Sequence, residues 1–172
     1  MKIKAILFSL LTTINLFAIT IGEIPKHVSI NEKNGGMVAD GSIWNSSTIK
    51  DKVYVMFYVD PDEKDTNSHF SKKLKEKNFD KTKFGSIAVI NLAATWKPNF
   101  IIEALLAQKQ KEFPDTIYIK DKKSVLVNEW SLDDDASDIL LFSKNSTLLF
   151  YKSGRMNDED IKKVIQIIED NL

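Results

Sequence analysis

The stretch that decides the fold is VYVMFYV, residues 53–59, because it is apolar on both of its faces. This pattern is typical of a parallel strand that lies between two layers of helices. Asp60-Pro61-Asp62 ends the strand with turn-forming residues. Residues 86–92 (SIAVINL) form a second run of the same character. The sequence therefore predicts a sheet with parallel strands at its centre and helices on both faces.

Helices are predicted on either side of this second strand. The first covers residues 65–77, where Phe70 and Leu74 are four residues apart and face the core. The second begins at Pro98, because a proline at the start of a helix loses no hydrogen bond. Its predicted inner stripe consists of Phe100, Ile101, Ala104, Leu105 and Gln108.

The remaining elements are read from turn and cap residues. Residues 27–30 and 37–44 flank Asn34-Gly35-Gly36 and are expected to form an N-terminal hairpin. A short strand is predicted at 116–119 and a short helix or turn at 125–130. An antiparallel hairpin is predicted from 139–142 and 147–151. Asn157, followed by three acidic residues, is expected to cap the last helix.

Together these elements give the order β-α-β-α-β-hairpin-α, with an N-terminal β extension. Right-handed crossovers then place helices on both faces of one mixed sheet. The sequence therefore predicts an α/β class fold, a thioredoxin-like three-layer α/β/α sandwich that ends in an antiparallel hairpin and a C-terminal helix.

The first 18 residues have the pattern of a cleavable signal peptide. Lys2 and Lys4 precede a mostly apolar stretch, and Ala18 suits the position before the cut. The alternative, an uncleaved membrane anchor, would need a longer apolar stretch, of roughly 20 residues. We therefore expect a periplasmic protein with a single domain over residues 19–172 and no membrane contact after cleavage.

The composition narrows the possible partners. The chain has 24 basic and 24 acidic side chains, so removal of the two leader lysines leaves 22 basic and 24 acidic ones, a net charge of −2. This balance is unlike the basic surface of nucleic-acid-binding proteins, and no nucleic-acid partner is expected. The chain has no cysteine, which rules out lipid attachment to an N-terminal cysteine.

Several segments resemble one known family. The segments are residues 44–47, Lys52-Val53, 91–95 with Pro98, Phe113-Pro114 and 128–132. Through them the chain is similar to the YtfJ family of exported bacterial proteins over about residues 21–170. The resemblance implies a thioredoxin-like fold and export, and it names no catalytic motif. Some family members are labelled transcriptional regulators, so a regulatory protein is one alternative function.

The absence of cysteine decides against redox chemistry. A thioredoxin-like domain carries its nucleophilic cysteine directly after the first central strand, where the next helix lowers the thiol pKa. Here that position begins with Asp60, and the position of the usual cis-proline is expected at Ser137. Dithiol exchange and cysteine-based peroxidase activity are therefore excluded.

Carboxylates occupy the place of the sulfur. Two acidic loops, residues 60–65 and 133–138, are expected to face each other across the vacated redox cleft. With the two nearest tryptophans, the predicted binding residues are Asp60, Asp62, Glu63, Asp65, Asp133, Asp134, Asp135, Ser137, Asp138, Trp96 and Trp130. The main hypothesis is a non-redox binding module for a protein segment or a small solute, without a cofactor. The alternatives are that the acids are solvated loop ends, or that they hold a divalent cation in a metal-assisted enzyme.

Other kinds of catalytic, metal or binding site have weaker support in the sequence. The acidic runs lack the spacing and glycine of a calcium loop, and no nucleophile elbow or phosphate loop occurs. His27 and His69 have no metal-ligand spacing. Trp44, Trp96 and Trp130 are expected at the ends of elements, where they either line a groove or close the ends of the core.

Overall fold

The computed structural model describes residues 18–31 and 33–172. The predicted leader, apart from Ala18, lies outside these residues. The strands and helices follow the predicted order, and their bounds are β1 (Ser29–Ile30), β2 (Gly35–Met37), β3 (Trp44–Asn45), β4 (Val53–Val59), α1 (Ser68–Lys77), β5 (Phe84–Asn91), α2 (Asn99–Glu112), β6 (Thr116–Asp121), α3 (Val125–Trp130), β7 (Ser137–Phe142), β8 (Leu148–Lys152) and α4 (Asp158–Asn171).

Six strands form the main sheet, in the order β2-β6-β5-β4-β7-β8. Strands β4, β5 and β6 are parallel, whereas β7 runs antiparallel to β4, and β8 pairs antiparallel with β7. The stretch VYVMFYV is thus the central strand, with a neighbour on each side. This confirms the predicted mixed α/β sheet and its terminal hairpin.

Helices cover both faces of the sheet. Val53 and Val55 of β4 pack with α1 and α4, while Met56 and Tyr58 face the other way and pack with α3 and the lead-in segment. Trp130 of α3 packs in this second cluster. A central strand with apolar side chains on both faces is what this three-layer arrangement requires.

The N-terminal hairpin prediction is confirmed only in part, because Ile30 pairs antiparallel with Trp44 as expected, whereas residues 35–37 join the main sheet. Strand β2 pairs with β6 at the edge of the main sheet, and β1 pairs with β3 in a separate ribbon. Gly35 explains this placement, because a Cβ atom there would stand 1.7 Å from the carbonyl oxygen of Lys120. Gly35 therefore allows a close approach of the β2 and β6 backbones, in addition to its place in the turn.

The predicted inner stripe of α2 is wrong. Ile102 and Leu106 are the buried residues of this helix, and they pack with Leu92. Phe100 and Leu105, which were expected inside, are exposed by 72% and 57%. Helix α2 is apolar on two of its faces, so periodicity alone favours neither, and contact with Ile90 and Tyr118 of the sheet selects the Ile102 side.

Candidate functional site at the carboxyl ends of the strands

The two acidic loops meet at the end of the sheet where the central parallel strands have their carboxyl ends. Val59, the last residue of β4, lies opposite Ser137, the first residue of β7. The next residue, Asp60, donates its backbone N–H to the carbonyl oxygen of Ala136 at 2.9 Å. The segments after β4 and before β7 are therefore direct neighbours, as a cleft between them requires.

Asp60 is buried and shapes the first loop. Its side chain accepts a hydrogen bond from the backbone N–H of Asp62 at 2.8 Å and caps a 3-10 turn at Pro61–Glu63. Burial raises the pKa of Asp60, and the nearby carboxylates of Asp62, Asp135 and Glu63 raise it further, while the Asp62 N–H opposes them. This residue fixes the backbone of the loop and does not itself present a carboxylate to solvent.

Asp138 has the same role in the second loop. Its carboxylate is fully buried, accepts the N–H of Asp133 at 3.1 Å and receives the Tyr151 hydroxyl at 3.4 Å. Burial raises the pKa of Asp138 to about 6, and the Asp133 carboxylate adds to the rise, against hydrogen bonds from Ser153, Asp133 and Tyr151. The side chain closes the 133–138 loop on itself.

Asn67 joins the two loops to the rest of the site, and sequence reasoning missed it. Its amide nitrogen donates to the carbonyl and hydroxyl oxygens of Ser137, at 3.2 and 3.1 Å, and to the carbonyl oxygen of Gly154 at 2.9 Å. Its amide oxygen accepts the N–H of Met156 at 2.9 Å. An asparagine just before a helix looks like an ordinary cap, so its local sequence carries no signal of these distant partners.

Asp121 was also missed. It ends β6, is fully buried, and receives the backbone N–H groups of Val125 at 2.9 Å and Leu126 at 3.1 Å. The Tyr58 hydroxyl of β4 donates to the same carboxylate at 3.2 Å. A carboxylate that receives the first N–H groups of α3 is favoured by the helix dipole. Asp121 thus positions the start of α3 over the sheet.

Asn91 is the third buried polar residue that sequence reasoning missed, and it holds the second acidic loop in place. It ends β5 and donates its amide to the Asp134 carboxylate at 2.6 Å. Its own oxygen receives the Ser124 hydroxyl at 3.1 Å. The exposed carboxylate of Asp134 therefore lies close to two polar partners, because the Ser124 hydroxyl, whose single proton is shared between Asn91 and Asp134, is 3.2 Å from it.

The loop between β5 and α2 presents the most exposed aromatic residue of this site. Thr95 donates its hydroxyl to Asp62 at 2.8 Å, and Lys97 forms a salt bridge with the same carboxylate. These bonds lower the pKa of Asp62, with the Lys97 contact as the main cause. Trp96 stands between these two residues in the chain, and 86% of it is exposed to solvent.

The predicted residues therefore divide into two groups. Asp60, Ser137 and Asp138 are buried and position the backbone, while the remaining acids of the prediction and Trp96 face solvent. Trp130 is not part of the binding surface. It is only 1% exposed, and its indole N–H donates to the carbonyl oxygen of Lys26 at 2.8 Å, so it belongs to the core.

The described residues do not group into a ligand set for a divalent cation. Among residues 18–31 and 33–172, no three His, Asp or Glu side chains are grouped as metal ligands. His69 contacts the Met156 carbonyl through Nε2 at 2.8 Å, and its Nδ1 atom is buried without a partner. A bound divalent cation stays an untested alternative.

Comparison with known proteins agrees with the fold. Solved structures that superpose on the chain include a candidate protein disulfide isomerase from Bacteroides thetaiotaomicron, with a TM-score of 0.63 at 18% identity over 90% of this chain and 91% of that one. A thiol-disulfide isomerase from Corynebacterium glutamicum superposes with a TM-score of 0.59 at 12% identity, over 81% and 92% of the two chains. At these identities the likeness concerns the thioredoxin-like fold alone.

Sequence relatives are themselves uncharacterised. An uncharacterized protein of Haemophilus influenzae is 27% identical over 73% of this chain and 70% of its own length. The uncharacterized protein YtfJ of Escherichia coli is 20% identical over the same shares. No helix in the described part of the chain is long and apolar enough to cross a membrane. Residues 23–171 match the family described as "Bacterial protein of unknown function (YtfJ_HI0045)", and the chain therefore belongs to the YtfJ family.

Proposed function

We propose that this protein is a non-redox binding module that holds a segment of another protein at the carboxyl ends of its central strands. The exposed side chain of Trp96 is the observation that carries this proposal. Tryptophan is largely buried in most folded proteins and is enriched at interfaces, where its ring supplies a large contact area. We infer that Trp96 is the main contact of the partner.

The loop that carries Trp96 is well fixed. Residues on both sides of it bind Asp62, so the ring projects from a loop with defined ends. Asp60 in turn holds the turn that contains Asp62. A preorganised loop binds with a smaller loss of conformational entropy than a mobile one. The buried polar network therefore supports recognition, with no need for a catalytic role.

Exposed carboxylates on the two acidic loops give this end of the molecule a negative charge. Glu63, Asp133 and Asp135 are exposed beside the buried Asp60 and Asp138. Negative charge at the rim of an interface steers association with positively charged partners and disfavours nucleic acid. We therefore expect a protein segment with basic residues to bind better than an acidic one, and a small solute is the alternative occupant.

The proposed place of action is the periplasm. The support comes from the signal-peptide pattern of residues 1–18. Ile19, the first residue after the predicted cut, donates its backbone N–H to the carbonyl oxygen of Trp130 at 3.2 Å. In a mature chain that begins at Ile19, this nitrogen becomes the α-ammonium group, which can donate to the same carbonyl oxygen. Its N-terminal sequence, determined on protein from the periplasmic fraction, is expected to start there.

Site-specific photo-crosslinking in living cells tests the binding proposal. A benzophenone amino acid in place of Trp96 is expected to give a discrete adduct, and Asp135→Lys in the same chain is expected to reduce that adduct at least several-fold. Ile43 is a matched control position, because it is apolar, 54% exposed and lies in the N-terminal part of the chain. Equal adducts at both positions, or none at position 96, would refute the proposed surface.

A further inference from the structure

A second exposed apolar surface lies along α2. The outward face of this helix carries Phe100, Ile101, Ala104, Leu105 and Gln108, all of which are exposed. These are the residues that periodicity placed inside, and the opposite side of the helix is the one that packs on the sheet. A helix with apolar residues on both sides leaves one side for a partner. We refer to these five residues as the outer α2 face.

We propose that the outer α2 face pairs with the same face of a second copy of this chain, with the two helices antiparallel. The face is self-complementary about its centre. Ala104 lies near the middle, with Phe100 and Ile101 toward the N-terminus and Leu105 and Gln108 toward the C-terminus. A two-fold axis at the small side chain of Ala104 brings the Phe100 end of one helix against the Leu105–Gln108 end of the other, as an isologous interface requires.

Charges at the two ends of the face fit this antiparallel arrangement. The N-terminal end carries Lys97 paired with Asp62, and the helical repeat places Lys111 and Glu112 at the C-terminal end of the same face. In an antiparallel pair centred on Ala104, the Lys111–Glu112 end of one copy lies against the Lys97–Asp62 pair of the other. Lys111 then faces the Asp62 side of that pair, and Glu112, which also contacts Lys109 of its own chain at 3.1 Å, faces the Lys97 side. A parallel pair would place like ends together and gain neither contact.

The available area indicates a weak dimer. Phe100, Ile101 and Leu105 are exposed by 72%, 45% and 57%. With an aromatic side chain of about 200 Å² and aliphatic ones somewhat smaller, these residues offer about 300 Å² of apolar surface per copy. Because roughly 65% of a homodimer interface is apolar, the two copies would bury about 1,000 Å² in total, at the lower limit for a specific interface.

Engineered disulfides test the pairing directly, since the chain has no cysteine of its own. Under mild oxidation, Ala104→Cys is expected to cross-link two copies, because residues at the two-fold axis approach within disulfide reach. Gln108→Cys is the matched control, since it is exposed on the same face. In the antiparallel pair its two copies are about 12 Å apart along the helix axis, which is too far for a disulfide.

Each outcome decides the proposal. Cross-linking of Ala104→Cys alone supports it, whereas a parallel pair would cross-link both variants, and a monomer neither. Sedimentation velocity of the unmodified sequence is expected to show a monomer–dimer equilibrium at micromolar concentrations, weakened at least 10-fold by Leu105→Glu and unchanged by Ile43→Glu. A sharp monomer at all concentrations would overturn the proposal. These variants leave the Trp96 loop intact, so failure here is distinct from failure of the binding proposal.

Discussion

Single buried polar residues determine the shape of the candidate site. Asp60, Asn67, Asn91, Asp121 and Asp138 are all buried, and each accepts hydrogen bonds from backbone or side-chain donors around the loops. A buried polar group without partners would destabilise the fold, so each of these residues also restricts the loop conformations that remain possible. In this protein the polar residues position the site, and the exposed residues around them are available for contact.

Asp138 makes the stability of the protein depend on pH. The folded-state pKa of about 6 lies above the value of 3.8 for an unperturbed aspartate. Its contribution to stability is therefore fully present below pH 3.8 and is lost as the pH rises through 6. Since one pKa unit corresponds to about 1.4 kcal/mol, the free energy of unfolding is expected to lose up to about 3 kcal/mol from this residue between pH 4 and 7.

Urea denaturation of the unmodified chain and of Asp138→Asn, at a series of pH values, checks this expectation. The asparagine keeps an oxygen acceptor for the Asp133 N–H and cannot ionise. The difference in unfolding free energy between the two proteins is expected to change in favour of the variant as the pH rises from 4 to 7. Parallel curves over this range would contradict the assigned pKa. Because other carboxylates are common to both proteins, the difference isolates Asp138.

At the scale of elements, the sequence predicts strands better than it predicts the orientation of helices. The central strand β4 is recognisable because all its side chains are apolar, and nothing but a buried position fits that pattern. Helix α2 has apolar residues on two sides, so its orientation depends on Ile90 and Tyr118 of distant strands. In the same way, Asn67 reaches partners 70 and 87 residues away, which no local pattern encodes.

The edge strand β2 depends on a single glycine. Gly35 has a positive φ of 134°, and a Cβ atom there would overlap the Lys120 carbonyl. Gly35→Ala is therefore expected to displace β2 from β6 and to cost about 2 kcal/mol or more of unfolding free energy. Gly41→Ala is the control, because Gly41 also has a positive φ but open space around it, and it should cost only about 1 kcal/mol.

Chemical denaturation of the two glycine variants at one pH measures both effects. Because the β6 backbone approaches Gly35 closely, the Gly35 variant is expected to be less stable than the Gly41 variant by more than the experimental error. Equal stabilities would show that positive φ alone, without the close approach of the β6 backbone, explains the glycine at position 35.

At the scale of the whole molecule, a thioredoxin-like fold is formed by a chain without cysteine. The chain superposes on thiol-disulfide isomerases over most of its length and has no cysteine. The sequence predicts the order of elements along the chain, the meeting of the acidic loops and the last helix. It does not predict which of those acids are buried, because burial of Asp60 and Asp138 depends on packing between distant segments.

A melting experiment tests whether the acidic loops hold a cation. The buried carboxylates are bonded within the protein, and no ligand set is present in the described residues. After treatment with EDTA, addition of calcium, magnesium or zinc is expected to change the melting temperature by less than about 1 °C, since only a ligand that binds the folded state raises it. A saturable rise of several degrees with one cation would contradict this expectation and would support the alternative of a metal-assisted enzyme.

The sheet has little room for an added strand at either edge. Strand β2 is three residues long and contains two glycines. At the other edge, Leu148 of β8 already exchanges backbone hydrogen bonds with Gly22 and Glu23 of the lead-in segment. Recognition by β-augmentation, in which a foreign peptide extends a sheet through its main chain, has only a short template here. Selectivity for partners must then reside in side chains, so variation of a few surface positions could redirect this scaffold to a new target without altering its sheet.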